Sequence, residues 1–233
     1  MNSQQLPDHE MRRLRAIASN EGVLLALVEA RLAGEPLQYL EGNVQFGPVE
    51  VLVDRRVLIP RPETENLFDL VSKAAVAPEV IVDLCTGSGA LALAFKTVFP
   101  TARVIGADIS PDALAVARSN GSEVEWLEGD LFFALGPDLR GEIDLLVANP
   151  PYVSEAEWDT LPADVKREPR SALVAGPAGT EMVERILGEL DSWLAPGGEA
   201  WIEIGEKQGW LAGEYPVEVV EDQYGVDRYL RWT

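Results

Sequence analysis

The chain is short of the side chains that most often move protons or hold metals. Among its 233 residues there is one histidine, His9, and one cysteine, Cys85. A lone histidine in a polar N-terminal stretch leaves no partner for a serine–histidine triad and no His-x-x-x-His zinc site. A lone cysteine excludes an internal disulfide and a cysteine-based zinc centre, so no metal is expected. No apolar run is long: Val23 to Val28 is the most sustained, far short of the roughly 20 residues a membrane helix needs. The first ten residues are polar and acidic rather than signal-like. A cytoplasmic protein without membrane association is the expectation. Positive charge is also scarce, with 19 Lys and Arg against 39 Asp and Glu and a net charge of −20. Nucleic-acid binding draws on phosphate neutralisation by a basic face, so this balance disfavours it. A protein or small-molecule acceptor fits better.

What is present alternates. Asp8 to Ala33 carries two helical stripes, Met11, Leu14, Ile17 and Ala18, then Val23, Leu24, Leu27, Val28 and Leu32, broken at Asn20-Glu21-Gly22. Val49, Val51 and Val53 alternate within a hairpin pattern from Asn43 to Ile59. Helices are expected over 63–76 (buried face Leu67, Leu70, Val71, Ala74, Ala75), 90–98, 111–119 and 180–194. Strands are expected over 80–85, 103–109, 123–127, 143–148, 199–204, 217–221 and 228–232. This order predicts an α/β, Rossmann-like, doubly wound, mainly parallel seven-stranded sheet closed by an antiparallel hairpin. The organisation reads as a helical segment (1–42), a β-hairpin linker (43–62) and a main domain (63–233).

Thr86-Gly87-Ser88-Gly89 falls between an expected strand and helix, where glycine lets a ligand approach the backbone. Asp108, ending the next strand, suits ribose hydroxyls. Gly87-x-Gly89-x-x-Ala92 with that acid also satisfies a dinucleotide fingerprint, so a nicotinamide enzyme stands as an alternative. Asp83 points elsewhere, because a carboxylate there would crowd a pyrophosphate but suit an ammonium and a sulfonium. Asp130 is placed to accept from an adenine amino group. These acids favour S-adenosylmethionine (SAM). Cys85 reads as a small residue beside the loop, with no base or cation nearby to activate it.

Asn149-Pro150-Pro151-Tyr152 follows the apolar strand Ile143 to Ala148. Two prolines remove two backbone donors and fix φ. Carbonyls are thereby left to accept from something else, beside the Asn149 carboxamide oxygen and the Tyr152 ring. Such a pocket suits an NH2 group on a planar carrier; a simple proline-marked loop is the alternative.

Taken together these segments resemble the HemK/PrmC family of protein-(glutamine-N5) methyltransferases, whose substrates include peptide-chain release factors. The resemblance rests on Gly34-Glu35-Pro36-Leu37-Gln38-Tyr39-Leu40, Gly42-x-x-x-Phe46 and Val57-Leu58-Ile59-Pro60-Arg61-Pro62-Glu63-Thr64-Glu65. It continues through Asp83-Leu84-Cys85-Thr86-Gly87-Ser88-Gly89, Asp108, Asn149 to Val153, Glu168-Pro169 with Ala172-Leu173, Glu203-Ile204-Gly205 and Asp222-x-x-Gly225-x-Asp227-Arg228. It implies a class I SAM-dependent methyltransferase fold. By that resemblance residues 85–89 wrap the methionine and ribose of SAM, Asp108 holds the ribose, and Asp130 and Leu131 border the adenine. Asn149, Pro150, Pro151 and Tyr152 hold the acceptor amide, while Phe46, Arg61 and Glu63 close the site. An exocyclic amino group in nucleic acid or another protein glutamine is the alternative acceptor. Three departures are visible. Cys85 replaces the family's frequent glycine, which is tolerable where φ is not positive. Gly47 stands where an aromatic is common, thinning one wall. Only 33 residues precede Gly34, fewer than the family's usual helical domain.

Overall fold

The computed structural model describes residues 6–74 and 77–233. Two helices, α1 (Asp8–Ile17) and α2 (Glu21–Leu32), lead through a short α3 (Leu37–Glu41) into a hairpin of β1 (Asn43–Phe46) and β2 (Val49–Leu52). The break between α1 and α2 is chemical: Asn20 caps α2, its Oδ1 accepting from the Val23 amide at 3.0 Å. The two sequence stripes bury less than expected. Only Leu14 and Leu24 are fully inside, while Ile17, Val23 and Leu32 stay exposed. The small α1–α3 cluster is too thin to cover both stripes.

α4 (Pro62–Ala74) follows, buried through Leu67, Phe68 and Val71. Ala75 and Val76, expected to finish that helix, lie outside the described residues. Then β3 (Val80–Leu84), α5 (Ala90–Val98), β4 (Arg103–Asp108), α6 (Pro111–Asn120) and β5 (Glu125–Glu128) alternate. The chain continues with β6 (Ile143–Ala148), β7 (Val153–Ser154), α7 (Glu155–Trp158), β8 (Val174–Gly176), α8 (Glu181–Glu189), β9 (Leu194–Glu203), β10 (Glu218–Glu221) and β11 (Asp227–Trp232). The seven-stranded sheet has the order β10-β11-β9-β6-β3-β4-β5, with β11 antiparallel to both neighbours and the other pairings parallel. The expected helix over 180–194 is shorter, because a 3-10 turn at Leu190–Ser192 ends it and β9 begins at Leu194. Gly197 adopts φ +82° within that strand, and a Cβ on Gly198 would stand 2.5 Å from the Ile143 carbonyl oxygen. β9 therefore bulges at these residues: Ile143 pairs with Leu194, but Leu145 already pairs with Glu199.

β6 and β3 leave the chain's two windings in opposite directions, which makes the crevice above their carboxyl ends the switch point of the sheet. Cys85 and Asn149 follow, and Asp108 ends, strands that finish at this edge. Two cores flank the sheet. One joins the hairpin (Phe46, Val51) to α4 and α5, and the other packs α8 and Trp193 beneath Leu146 and Ile202.

Candidate active site

Asp108 organises the loop that follows β3. Its carboxylate accepts from the Gly87 amide and the Ser110 amide, each at 2.9 Å. Burial raises its pKa and these amides oppose the shift. One lone pair on each oxygen is spoken for, which leaves acceptor capacity toward the cleft. Gly87 has φ +55°, and a Cβ there would meet nothing within 4 Å. The backbone is thus bare on the side facing the cleft. Asp83 is not offered to a ligand in the way the sequence suggested. It is 2 % exposed and accepts from Thr86 Oγ1 at 2.5 Å. Burial pushes it up to about 7, against the pull of Thr86 and the Ala92 amide. Its first task is to hold the loop.

Cys85 requires a correction. Its φ is +61°, so cysteine occupies the left-handed conformation that the tolerant reading assumed was absent. Leu131, on the rim of the same cleft, has φ +50°. Two strained non-glycine residues at one crevice are the pattern of a site over-determined by its surroundings.

The cleft itself has two lobes. The larger, about 100 Å³, is lined by Asp108, Ile109, Asp130, Leu131, Pro151 and Met182 among others. The smaller, about 50 Å³, is lined by Phe46, Leu58, Pro60, Thr64, Asp83 and residues 85–88. Asn149, Leu58, Cys85 and Gly87 border both. The asparagine ending β6 therefore stands where the lobes meet. Its Nδ2 donates to Thr64 Oγ1 at 2.8 Å, and among the described residues its Oδ1 takes no protein hydrogen bond.

Several residues sit away from their expected places. Arg61 borders neither lobe; it donates at 2.5 Å to the buried Glu168, which also accepts from the Ile59 amide at 2.9 Å. A buried carboxylate requires a cation, so the arginine is drawn there rather than toward the cleft. Glu63 also stays outside both lobes, offering its backbone carbonyl to Tyr229 Oη at 2.7 Å. Leu58, Pro60 and Thr64 form the wall that this loop contributes. Tyr152 lies behind the lobes, beside a separate cleft with Glu157, Lys207 and Arg228. Its hydroxyl donates to Glu203 Oε1 at 3.2 Å, and burial first, then that carboxylate, drives its pKa up. Gly47 borders neither lobe, and a Cβ there would lie 3.1 Å from the Phe68 ring, which fills the space beside it.

Comparison with known proteins then decides the family. A methyltransferase-domain model matches residues 81–168. The chain is 37% identical over 216 residues to the release factor glutamine methyltransferase of Deinococcus radiodurans, covering 88% of this chain and 76% of that one. The chain belongs to this family. The release factor glutamine methyltransferase of Mycolicibacterium smegmatis is 46% identical over 182 residues, spanning 76% of this chain and 64% of its own length. Among solved structures, the E. cuniculi Mtq2–Trm112 complex, described as responsible for methylating the eRF1 termination factor, shares the fold. It matches at TM-score 0.53 and 19% identity over 76% of this chain and 96% of that chain.

As a family member the chain needs a methyl donor, and its own residues fit a nucleoside-bearing cation. Among the described residues Asp130 Oδ1 is buried without a partner, while Oδ2 accepts from Arg185 at 2.8 Å. An unpaired buried acceptor in the larger lobe is complementary to an amino group. The dinucleotide alternative falls with the family assignment. Thr64 reads in the sequence as a helix-start residue in the loop that closes the site, and Glu203 only as part of a matching segment; neither reads there as a partner of Asn149. Glu203 carried a signal, a lone charge ending the apolar run Trp201-Ile202.

Proposed function

We propose that this protein transfers the sulfonium methyl of SAM to the side-chain amide nitrogen (N5) of a protein glutamine. The substrate of this reading is a peptide-chain release factor, methylated in its Gly-Gly-Gln motif. The observation that carries it is the position of Asn149: one residue bordering both lobes, with Nδ2 tied to Thr64 and Oδ1 left to accept. A carboxamide nitrogen is a weak nucleophile because its lone pair is delocalised into the carbonyl. Asn149 Oδ1 and the Pro150 carbonyl accept its two N–H groups, which aims the nitrogen and stabilises positive charge as it develops. Orientation and fixed dipoles do most of the catalytic work, and the surplus proton leaves to water.

Asp108 holds the ribose hydroxyls, Asp130 Oδ1 accepts from the adenine amino group, and Gly87 gives the backbone approach. The cofactor supplies an electrophilic methyl on a cationic sulfur, and the acidic rim is the matching field. Phe46, Leu58 and Pro60 exclude water from the smaller lobe. Protein rather than nucleic acid as acceptor agrees with the net charge of −20, and a cytoplasmic setting agrees with translation.

The test is methyl-tritiated SAM with a purified release factor, followed by mass mapping of the Gly-Gly-Gln peptide. One added methyl on that glutamine is expected, reduced about a hundredfold or more by Asn149→Ala, while SAM still binds. Label appearing on RNA instead would replace the substrate assignment.

A further inference from the structure

Behind Asn149 lies a buried chain of hydrogen bonds that the proposed chemistry does not itself require. Asn149 Nδ2 donates to Thr64 Oγ1 at 2.8 Å, and Thr64 Oγ1 donates to Glu203 Oε2 at 2.7 Å. Tyr152 Oη donates to the other oxygen, Glu203 Oε1, at 3.2 Å. Thr64 is 7 % exposed and Glu203 is 0 % exposed. The four residues come from α4, the turn after β6 and the end of β9, so this is a tertiary device rather than a local one.

A hydroxyl has one hydrogen. When Glu203 is a carboxylate it can only accept, so the Thr64 hydrogen is committed to it. Thr64 Oγ1 is then available to Asn149 solely as an acceptor. The carboxamide must therefore present Nδ2 inward and Oδ1 to the cleft, the orientation that the incoming amide needs. We infer that Thr64 and Glu203 are positioning residues that fix which end of the Asn149 carboxamide faces the acceptor. This rests on Asn149 as the acceptor's ligand.

The chain also contains its own release. A proton on Glu203 Oε2 would donate to Thr64, freeing the threonine hydrogen to turn toward Asn149 and favour the flipped amide. The charged and titratable groups around Glu203 are Glu63 on α4, Tyr152, and Arg228 and Tyr229 on β11. Burial, with Glu63 adding to it and Arg228 opposing, pushes Glu203 up to about 7. Protonation and loss of orientation thus fall in the neutral range.

The experiment measures kcat, the KM for release factor, the SAM Kd and melting temperature for the wild type, Thr64→Val, Thr64→Ser and Glu203→Gln between pH 6 and 9. Valine keeps the shape of threonine and removes the hydroxyl. It is expected to lower kcat about a hundredfold, the scale on which misplacement acts, with SAM Kd unchanged, while serine restores the rate. Glutamine at 203 still offers an oxygen to Thr64 and a donor to Tyr152 but does not titrate. Because its amide can turn either end toward Thr64, the orientation is no longer enforced, so its kcat should fall below wild type at pH 8.5 and lack the decline that wild type shows below about pH 7. This comparison holds even where valine unfolds the domain. An active wild type whose acid limb survives unchanged in Glu203→Gln, or a folded Thr64→Val with wild-type kcat, overturns this inference alone. A wild type that binds SAM and leaves release factor unmethylated overturns the functional reading and this inference with it.

Discussion

The indole of Trp126 lies directly against Gly106: a Cβ on that glycine would stand 2.4 Å from Trp126 Cζ3. The same ring would meet a Cβ on Gly89 at 2.5 Å, and its Nε1 donates to the Gly121 carbonyl at 2.8 Å. β5 therefore props the loop after β3 from behind. Gly89 is small because of tryptophan, whereas Gly87 is bare because of the cleft. Gly106→Ala is expected to lower stability by about 1–3 kcal/mol through overpacking. Adding Trp126→Phe should recover part of that loss. Urea unfolding of the single and double variants measures it, and strictly additive losses would contradict the contact.

Asp83 and Glu203 are both pushed up to about 7 by burial. Each binds its proton more tightly in the folded chain than in the unfolded one. Their stabilising contribution is complete below the ordinary carboxylate range and disappears as pH rises through about 7. The urea midpoint should decline between pH 5 and pH 8, and Glu203→Gln should make the decline shallower. Equal slopes in wild type and variant would remove Glu203 from the account.

Arg61 and Glu168 form a clamp between the loop before α4 and the segment after Pro162, at 2.5 Å with Glu168 2 % exposed at its side chain. Arg61→Ala leaves that carboxylate with the Ile59 amide as its protein partner. A loss of about 3–5 kcal/mol is expected, the scale for an uncompensated buried charge. Arg61→Ala with Glu168→Gln should regain much of it. Thermal melts of the four proteins form the cycle.

The Cys85 thiol is held above its ordinary pKa by burial and by Asp108, Asp83 and Asp130 around it. Since the thiolate is the reactive form, iodoacetamide at pH 8 should label the native protein slowly and the urea-unfolded protein fully. Fast native labelling would show a thiolate that this environment does not support.

The parallel sheet and its closing antiparallel strand were legible because apolar runs alternate with amphipathic ones. The glycine loop, Asp108, Asp130 and Asn149 were legible because turn chemistry after strand ends is local. What the sequence withheld is tertiary. Nothing near Arg61 announces Glu168, 107 positions away, and nothing near Thr64 announces Glu203, 139 positions away. The reach of Trp126 onto Gly106 is a neighbouring-strand contact that no periodicity marks. The positive φ of Cys85 was hidden too, because a cysteine code word does not advertise left-handed backbone.

β11 has a consequence in time. It is made after every other strand of the sheet, yet it lies inside the sheet, between β9 and β10. Tyr229 on it pairs with Glu203 in register and bonds the Glu63 carbonyl at 2.7 Å. The segment around Asn149 can therefore emerge from the ribosome and collapse, but the wall behind Glu203 waits for residues 227–232. On this topology, a chain cut short before Asp227 would keep the strands that carry Cys85, Asp108 and Asn149 but lack the wall behind Glu203.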